Sequence, residues 1–348
     1  MLFPYYTNPL NEYSIEEGEI QMKIIHGPTE IAGQIGILTK YLRENGYHVG
    51  GYNWFHTYLN YNSNIINTDL YEITKVLPTY IDNFDLFHFH NGETFMQGFA
   101  DLPQIKQKGK KMIMHHWGND VRTESLTKQL NPYPLPPSYF SDEEIRERLL
   151  EISEYIDTAI VQDYEVLPYV KDYYKNVHVL PLAFDLSSTQ PSYPNINNDN
   201  PLLIHAPTNR EFKGSAFVEQ AIDKLQSNRT FTFKMIEKMS HSEALEVYKQ
   251  SDIIVDQLLC GTYGMLSVEA MALGKVVVGF IRDDVREQLP IDLPIVIATP
   301  ENLHEVLDEL ITNPKLRHEI GKRGRKFVEE YHSVEKVGQN LINIYKNL

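Results

Sequence analysis

Short apolar runs alternate with segments of helical spacing along nearly the whole chain, and this alternation restricts the fold more than any other feature. In the segment 35–46, Ile35, Leu38 and Leu42 share one helical face before Gly46, and the segment 216–226 has the same spacing. Parallel sheets covered by helices on both faces produce this strand–helix–strand order. The sequence therefore predicts an α/β protein. The ten apolar runs are MKIIHGP, DLFHFHNG, KKMIMHHWG, DTAIVQ, VHVLPLAFD, PLLIHAP, TFTFKMIE, DIIVDQLL, KVVVGFI and PIVIATP.

The length of the chain predicts two domains, because 348 residues exceed the size at which a single core usually keeps growing. A segment rich in Pro, Asn, Asp and Ser, 188–201, has no apolar periodicity and marks the boundary. We therefore expect one doubly wound domain over 1–187 and a second over 188–333.

Composition excludes several functional classes. A formal charge of −15 disfavours a broad electrostatic contact with nucleic acid. The single cysteine, Cys260, excludes an internal disulfide framework and fits a reducing compartment. Residues 1–10 lack the pattern of a secretory leader, and no apolar run approaches the ~18 residues of a membrane span. We expect a cytoplasmic protein without an integral membrane segment. The basic run KQKGKK, 106–111, leaves open a peripheral contact with lipid or with a lipid-linked substrate.

Two loops that follow strands of the second half have the chemistry of an anion site. PLLIHAP is followed by TNREFKGS, which places Arg210 and Lys213 beside Gly214 at the opening of a helix. DIIVDQLL is followed by a loop with Gly261 and Gly264 before the next helix, whose amino terminus offers free N–H groups and the positive end of a dipole. A planar guanidinium, a mobile ammonium and exposed amides together suit a diphosphate.

Glu269 lies just over one turn inside that second helix. Helical side chains lean toward the amino terminus, so this carboxylate reaches back to the helix opening. An acceptor-only group in this position suits two neighbouring hydroxyls, such as the 2′,3′-diol of a ribose beside the phosphates.

In chain order, the motifs DLFHFHNG, HHWGNDVR, HAPTNREFKGS and YG…VEAMALGKVVV resemble those of the retaining nucleotide-sugar glycosyltransferases of the GT-B fold, close to the family 4 group (glycosyl transferases group 1). The resemblance implies two Rossmann-like domains facing each other across a cleft, with a final helix over about 334–348 crossing back to the first domain. It also implies transfer of a sugar from a nucleotide diphosphate sugar to an acceptor hydroxyl with retention of configuration and without a metal or another cofactor. The acceptor, a saccharide or a lipid-linked molecule, stays open, as do the donor's base and sugar.

The same resemblance assigns roles to individual residues. The residues expected to act in catalysis are His116, Asp120, Arg210 and Lys213. The residues expected to bind the donor are Gly33, Arg210, Lys213, Gly264, Met265, Leu266 and Glu269.

The chain also departs from the family pattern at two positions. Gly261 stands where the family carries a second glutamate, eight residues before Glu269, and Asp256 is the nearby carboxylate that could replace it. Trp117 stands where the family carries a histidine, which moves His116 one place back.

Three alternatives follow from other features. His88 and His90 share a strand face and His115 and His116 follow the next strand, which is a ligand set that a metallohydrolase uses. The glycine at position 261 leaves open a non-catalytic protein that binds nucleotide sugars. The loop 131–140, with four prolines, is either a lid or a rigid surface connection.

Overall fold

The computed structural model describes residues 22–348, so the prediction made for residues 1–10 lies outside it. The described strands are β1 Lys23–Gly27, β2 His48–Asn53, β3 Ile66–Asn67, β4 Leu86–His90, β5 Lys111–His116, β6 Thr158–Val161, β7 Asn176–Val179, β8 Leu202–His205, β9 Thr232–Met235, β10 Ile253–Val255, β11 Val276–Gly279 and β12 Val296–Ile297. The α-helices of the first half are α1 Gln34–Glu44, α2 Leu70–Asn83, α3 Leu102–Gln107, α4 Glu124–Leu130, α5 Asp142–Tyr155 and α6 Leu167–Val170. Those of the second half are α7 Arg210–Lys213, α8 Ser215–Gln226, α9 His241–Gln250, α10 Met265–Ala272, α11 Asp283–Arg286, α12 Leu303–Thr312, α13 Pro314–Phe327 and α14 Val334–Lys346.

The strands form two parallel sheets. The first sheet has the order β3-β2-β1-β4-β5-β6-β7 and the second the order β12-β11-β10-β8-β9. The chain enters each sheet near its middle and adds strands outward in both directions. Each sheet therefore contains a switch point, where doubly wound folds bind ligands. The predicted α/β GT-B fold is confirmed.

Local sequence explains why these elements form. The central strands β4, β5 and β6 are buried along nearly their whole length, as expected of strands covered on both faces. Helix α5 begins at a capping box, in which the Ser141 side chain accepts the N–H of Glu144 and the Glu144 carboxylate accepts the N–H of Ser141.

The carboxyl-terminal helix joins the two halves. Val337, Leu341 and Tyr345 of α14 lie in the same apolar cluster as Ile24 of β1 and Leu38 of α1, on one face of the first sheet. Helix α14 thus packs on the first domain although it follows the second in the chain. Within residues 22–348, no helix combines the length and apolar character that a bilayer span requires.

Two strands of the first sheet were not among the ten predicted runs. β2 contains His48 and two glycines, and β3 is only two residues long, so neither forms an apolar run. The aromatic segment 51–61 is extended only as far as Asn53 and then becomes a loop.

Candidate active site

The carboxyl ends of the two sheets meet in a cleft, and loops that follow the strands fill its centre. Asn131 Nδ2 of the first domain donates to the carbonyl of Leu259 at 2.7 Å, and Thr262 Oγ1 donates to Asp163 Oδ2 at 3.1 Å. On one side of this contact lies a cavity of about 510 Å³, a size ordinary for small-molecule sites. Its walls are the loops after β1 and β2 of the first domain and the starts of α9 and α10 of the second.

Lys213 and the amino terminus of α10 lie together. Lys213 Nζ donates to Asp256 Oδ1 at 2.6 Å and to Gln257 Oε1 at 2.9 Å, and it lies 3.9 Å from the position that a Cβ on Gly264 would occupy. Within residues 22–348, the N–H groups of Met265 and Leu266 in the first turn of α10 have no hydrogen-bond partner. A cation held in place and two free amides therefore face the same point.

Asp256 holds Lys213 and the first turn of α10 in position. It is buried, and its Oδ2 accepts from Ser267 Oγ at 2.6 Å. Burial alone would raise the pKa of Asp256, but the charge and hydrogen bond of Lys213, with Ser267, hold it below its ordinary value. Its contacts place Asp256 beside Lys213 and the start of α10, and its replacement of the family's second glutamate stays a prediction.

Glu269 lies on the wall of the cavity. Its Oε1 accepts from His241 Nε2 at 2.5 Å, and the His241 ring stacks on the ring of Tyr61 at 4.7 Å between centroids. Tyr61 belongs to the first domain and His241 to the second, so this chain of contacts crosses the cleft. Oε2 of Glu269 makes no hydrogen bond within the described part of the chain, which leaves it available to a ligand hydroxyl.

The first-domain wall is the turn before α1. Gly33 has φ 78°, in the region that favours glycine, and a Cβ there would lie 3.2 Å from the Tyr61 ring. Glu30 closes the amino terminus of α1, because its carboxylate accepts the N–H groups of Ile35 at 3.2 Å and Gly36 at 3.0 Å. Burial raises the pKa of Glu30 to about 7, against the lowering effect of these bonds.

Arg210 is not brought to the same point as Lys213. Its guanidinium is 44% exposed and pairs with Glu219 at 2.6 Å and with Glu237 at 3.3 Å. The two cations point apart because the carboxylates that hold them lie in different elements, in α8 and after β9 for Arg210 and after β10 for Lys213. A diphosphate role for Arg210 stays a prediction and requires the guanidinium to leave these two carboxylates.

His116 and Asp120 form a buried pair at the end of β5. Nδ1 of His116 lies 2.6 Å from Asp120 Oδ2, and Nε2 lies 2.8 Å from the Tyr174 hydroxyl. Asp120 Oδ1 accepts the N–H groups of Trp117 and Gly118, which fixes the turn. Both nitrogens of His116 are thus bonded inside the first domain, and a direct catalytic role for either residue stays a prediction.

The other histidines form a stack below the cleft. His26, His88 and His90 hold their nearest ring nitrogens within 4.8 Å of one another, and His115 stacks on His88 and His90 at 5.4 Å. All are buried, and burial lowers the pKa of His26 to about 3. A hydrolytic metal needs an open coordination position for water. The four rings are 0–1% exposed and out of reach of bulk water, so the arrangement does not favour the metallohydrolase alternative.

At position 261, where the family carries a second glutamate, the backbone conformation and the neighbouring side chain both favour glycine. Gly261 has φ 84°, and a Cβ there would collide with Cγ of Arg282. Arg282 is buried and pairs with Asp284 at 2.8 Å and with Glu165 at 3.7 Å. A carboxylate side chain at this position is therefore excluded by both backbone conformation and space.

Three residues of this site escaped the sequence analysis: Glu30, Tyr61 and His241. His241 carried a usable signal, since Ser240 and Glu243 form a capping box that starts a helix after β9. Glu30 and Tyr61 lie in irregular loops, where spacing gives no direction for a side chain.

Comparison with known proteins agrees with this architecture. Residues 157–327 match the family described as glycosyl transferases group 1. The chain is similar in structure to HepE from Anabaena in complex with UDP and glucose, with 13% identity, a TM-score of 0.66 and coverage of 94% of this chain and 100% of that one. It is also similar to a glycosyltransferase from Rickettsia africae (14% identity, TM-score 0.65, 94% and 99% covered). A third similar structure is the sucrose-phosphate synthase of Thermosynechococcus elongatus, with 12% identity, a TM-score of 0.62 and coverage of 93% of this chain and 98% of that one. No curated protein matches the chain.

Proposed function

We propose that this chain is a glycosyltransferase of group 1 with the GT-B fold, and that it transfers a sugar from a nucleotide diphosphate sugar to an acceptor hydroxyl with retention of configuration and without a metal. The observation that carries the proposal is the convergence of Lys213, the free amides of Met265 and Leu266, and Glu269 on one cleft. HepE, a similar structure, is described in complexes with UDP-glucose and with UDP, which supports the same donor class here.

The donor binds through its diphosphate and its ribose. The diphosphate lies at the amino terminus of α10, where Lys213 and the two amides donate to its oxygens and the helix dipole adds to the attraction. Glu269 accepts from the ribose hydroxyls with its free oxygen, while His241 holds the other oxygen. Gly33 leaves space on the first-domain side because any larger residue would meet Tyr61.

The reaction needs stabilisation of the departing diphosphate more than it needs a nucleophile. As the bond between the anomeric carbon and the phosphate oxygen breaks, its electron pair moves to the diphosphate, and positive charge develops on the sugar. Lys213 and the amides already face the developing negative charge, so no metal is required. The acceptor oxygen forms the new bond on the same face of the sugar, and its proton passes to the leaving phosphate oxygen.

A thermal-shift panel of nucleotides and nucleotide sugars tests the binding step. A ligand that binds only the folded state at ~100 times its Kd stabilises it by about 2.7 kcal/mol, which is a measurable rise in melting temperature. We expect UDP or another nucleoside diphosphate to produce this rise in the wild type and in Glu246→Gln, an exposed glutamate of α9, but not in Glu269→Gln. An equal rise in both variants contradicts the proposed ribose contact. Transfer that stops after treatment with EDTA contradicts metal independence.

A non-catalytic protein that binds nucleotide sugars is the second candidate. The observation in its favour is Gly261, because the Arg282 side chain leaves no room there for a carboxylate that would contact the donor sugar. The two candidates differ in turnover. We expect the protein to release nucleoside diphosphate from the bound nucleotide sugar. Tight binding of the nucleotide sugar, with no release of nucleoside diphosphate in the presence of any acceptor, would favour the second candidate.

A further inference from the structure

A second cavity, of about 400 Å³, lies on the other side of the central contact of the cleft. The proline-rich loop 131–139 forms its outer wall, the segment after β5 contributes Asn119 and Arg122, and the turn after β8 contributes Asn209 and Phe212. Both domains therefore build this cavity from the carboxyl ends of their sheets, where α/β proteins place ligands. None of the donor contacts proposed above uses it.

The cavity carries no free cation for an anionic ligand. Arg122 donates to the buried Glu165 at 2.6 Å, and Lys128 pairs with Glu124. Within residues 22–348, no other Lys or Arg lines the cavity. A phosphate or a carboxylate entering it would have to compete with Glu165 for the buried Arg122 and with Glu124 for the exposed Lys128.

The remaining groups have the chemistry that binds sugars. The rings of Tyr133, Tyr139 and Phe212 offer flat apolar surface to the C–H face of a sugar ring. Nδ2 of Asn119 and of Asn209 make no hydrogen bond within the described part of the chain, because only their Oδ1 atoms have partners. Free amide donors beside aromatic rings match the alternating hydroxyl and C–H surface of a saccharide.

The position of the cavity relates it to the donor site. Phe212 and Lys213 are neighbours on α7, so the same turn presents one side chain to this cavity and the next to the amino terminus of α10. Asn131, at the start of the loop, also holds the carbonyls of Leu259 and Cys260 in the central contact. The loop is thus tied to the segment that leads into α10.

We propose that this cavity is the acceptor subsite and that it takes an uncharged saccharide. The inference rests on the proposed function for the role of acceptor. The saccharide hydroxyl forms the bond to the anomeric carbon, the sugar–phosphate bond breaks with its electron pair going to the diphosphate, and the hydroxyl proton passes to that diphosphate.

Labelling of an introduced cysteine tests the assignment. Tyr139 is 89% exposed, so Tyr139→Cys leaves the fold unchanged, and a bulky maleimide on it fills the cavity. Cys260 is buried, and burial raises the pKa of its thiol to about 12, so it stays unlabelled. The matched control is labelled Tyr71→Cys, since Tyr71 is 68% exposed on α2 and does not line the cavity.

The readout is saturation-transfer NMR in the presence of UDP, with methyl glucoside, methyl galactoside, methyl mannoside and methyl N-acetylglucosaminide as probes. We expect at least one neutral glycoside to give a signal with wild type and with labelled Tyr71→Cys, and at least a tenfold weaker signal with labelled Tyr139→Cys. Glucose 6-phosphate should give none. Equal signals in the two labelled proteins, a glucose 6-phosphate signal, or no glycoside signal in the wild type overturns the inference. The UDP melting shift of the same samples reports separately on the proposed function, because labelling at position 139 leaves it unchanged.

Discussion

Replacing His115 with phenylalanine should stabilise the protein, because both ring nitrogens of His115 are buried and have no hydrogen-bond partner among residues 22–348. The ring stacks on Trp117 at 3.9 Å between centroids, and a phenyl ring preserves this contact. An unsatisfied buried polar group costs about 1–3 kcal/mol, so His115→Phe should raise the free energy of unfolding by about that amount near pH 7.5.

The same substitution should flatten the pH dependence of stability. Burial and the neighbouring His88 lower the pKa of folded His115 well below 6.5, whereas the unfolded chain takes up a proton near pH 6.5. Stability therefore falls as the pH drops through this window, since only the unfolded state binds the proton. Between about pH 7.5 and about pH 5.5 this one group removes about 1.4 kcal/mol from the wild type and nothing from the variant.

Urea unfolding followed by tryptophan fluorescence measures both effects, because both tryptophans, Trp54 and Trp117, lie in the first domain. His90→Phe is the matched control. His90 Nε2 lies 3.1 Å from His26 Nδ1, so its loss leaves that nitrogen of His26 without its partner and should destabilise the protein while changing the pH dependence equally. A destabilised His115→Phe, or wild-type and variant curves that stay parallel as the pH falls, would refute a neutral, unpartnered His115.

Three further predictions concern the donor site. Lys213→Ala should lower the affinity for UDP by at least tenfold (about 1.4 kcal/mol). Arg210→Ala should lower it less, because of these two cations Lys213 is the one that lies at the amino terminus of α10. Calorimetric titration measures both affinities, and a larger loss in Arg210→Ala would contradict the geometry. Glu269→Gln should weaken binding of UDP more than binding of inorganic pyrophosphate, which has no ribose, and an equal loss for the two ligands would count against the ribose contact. Gly261→Glu should lower the melting temperature more than Gly109→Glu, since both glycines have positive φ but, of the two, Gly261 is the one that packs against Arg282. Similar decreases in melting temperature for the two variants would argue against the steric reasoning.

The alternation of apolar runs predicted the fold because buried parallel strands leave a strong signal in sequence. All ten runs contain a strand, and the S-x-x-E spacing at Ser141 coincides with the capping box that starts α5. The short strand β3 and the glycine-containing β2 gave no such signal, because pairing with neighbours, rather than their own composition, keeps them in the sheet.

The candidate site was predictable only where the direction of a side chain follows from the helix or strand that carries it. Glu269 lies on a helix, and its reach toward the amino terminus follows from helical geometry. Arg210 and Lys213 lie on the same face of one short turn, but carboxylates that are distant in sequence draw them to different places. Tyr61 reaches the cleft from a loop of the other domain, a relation that no local pattern encodes.

A crystal structure of the protein soaked with UDP tests the central claim most directly. The account predicts pyrophosphate oxygens within hydrogen-bond distance of Lys213 Nζ and of the N–H groups of Met265 and Leu266, with the ribose hydroxyls at Glu269. A nucleotide bound elsewhere, or a ribose turned away from Glu269, would contradict it.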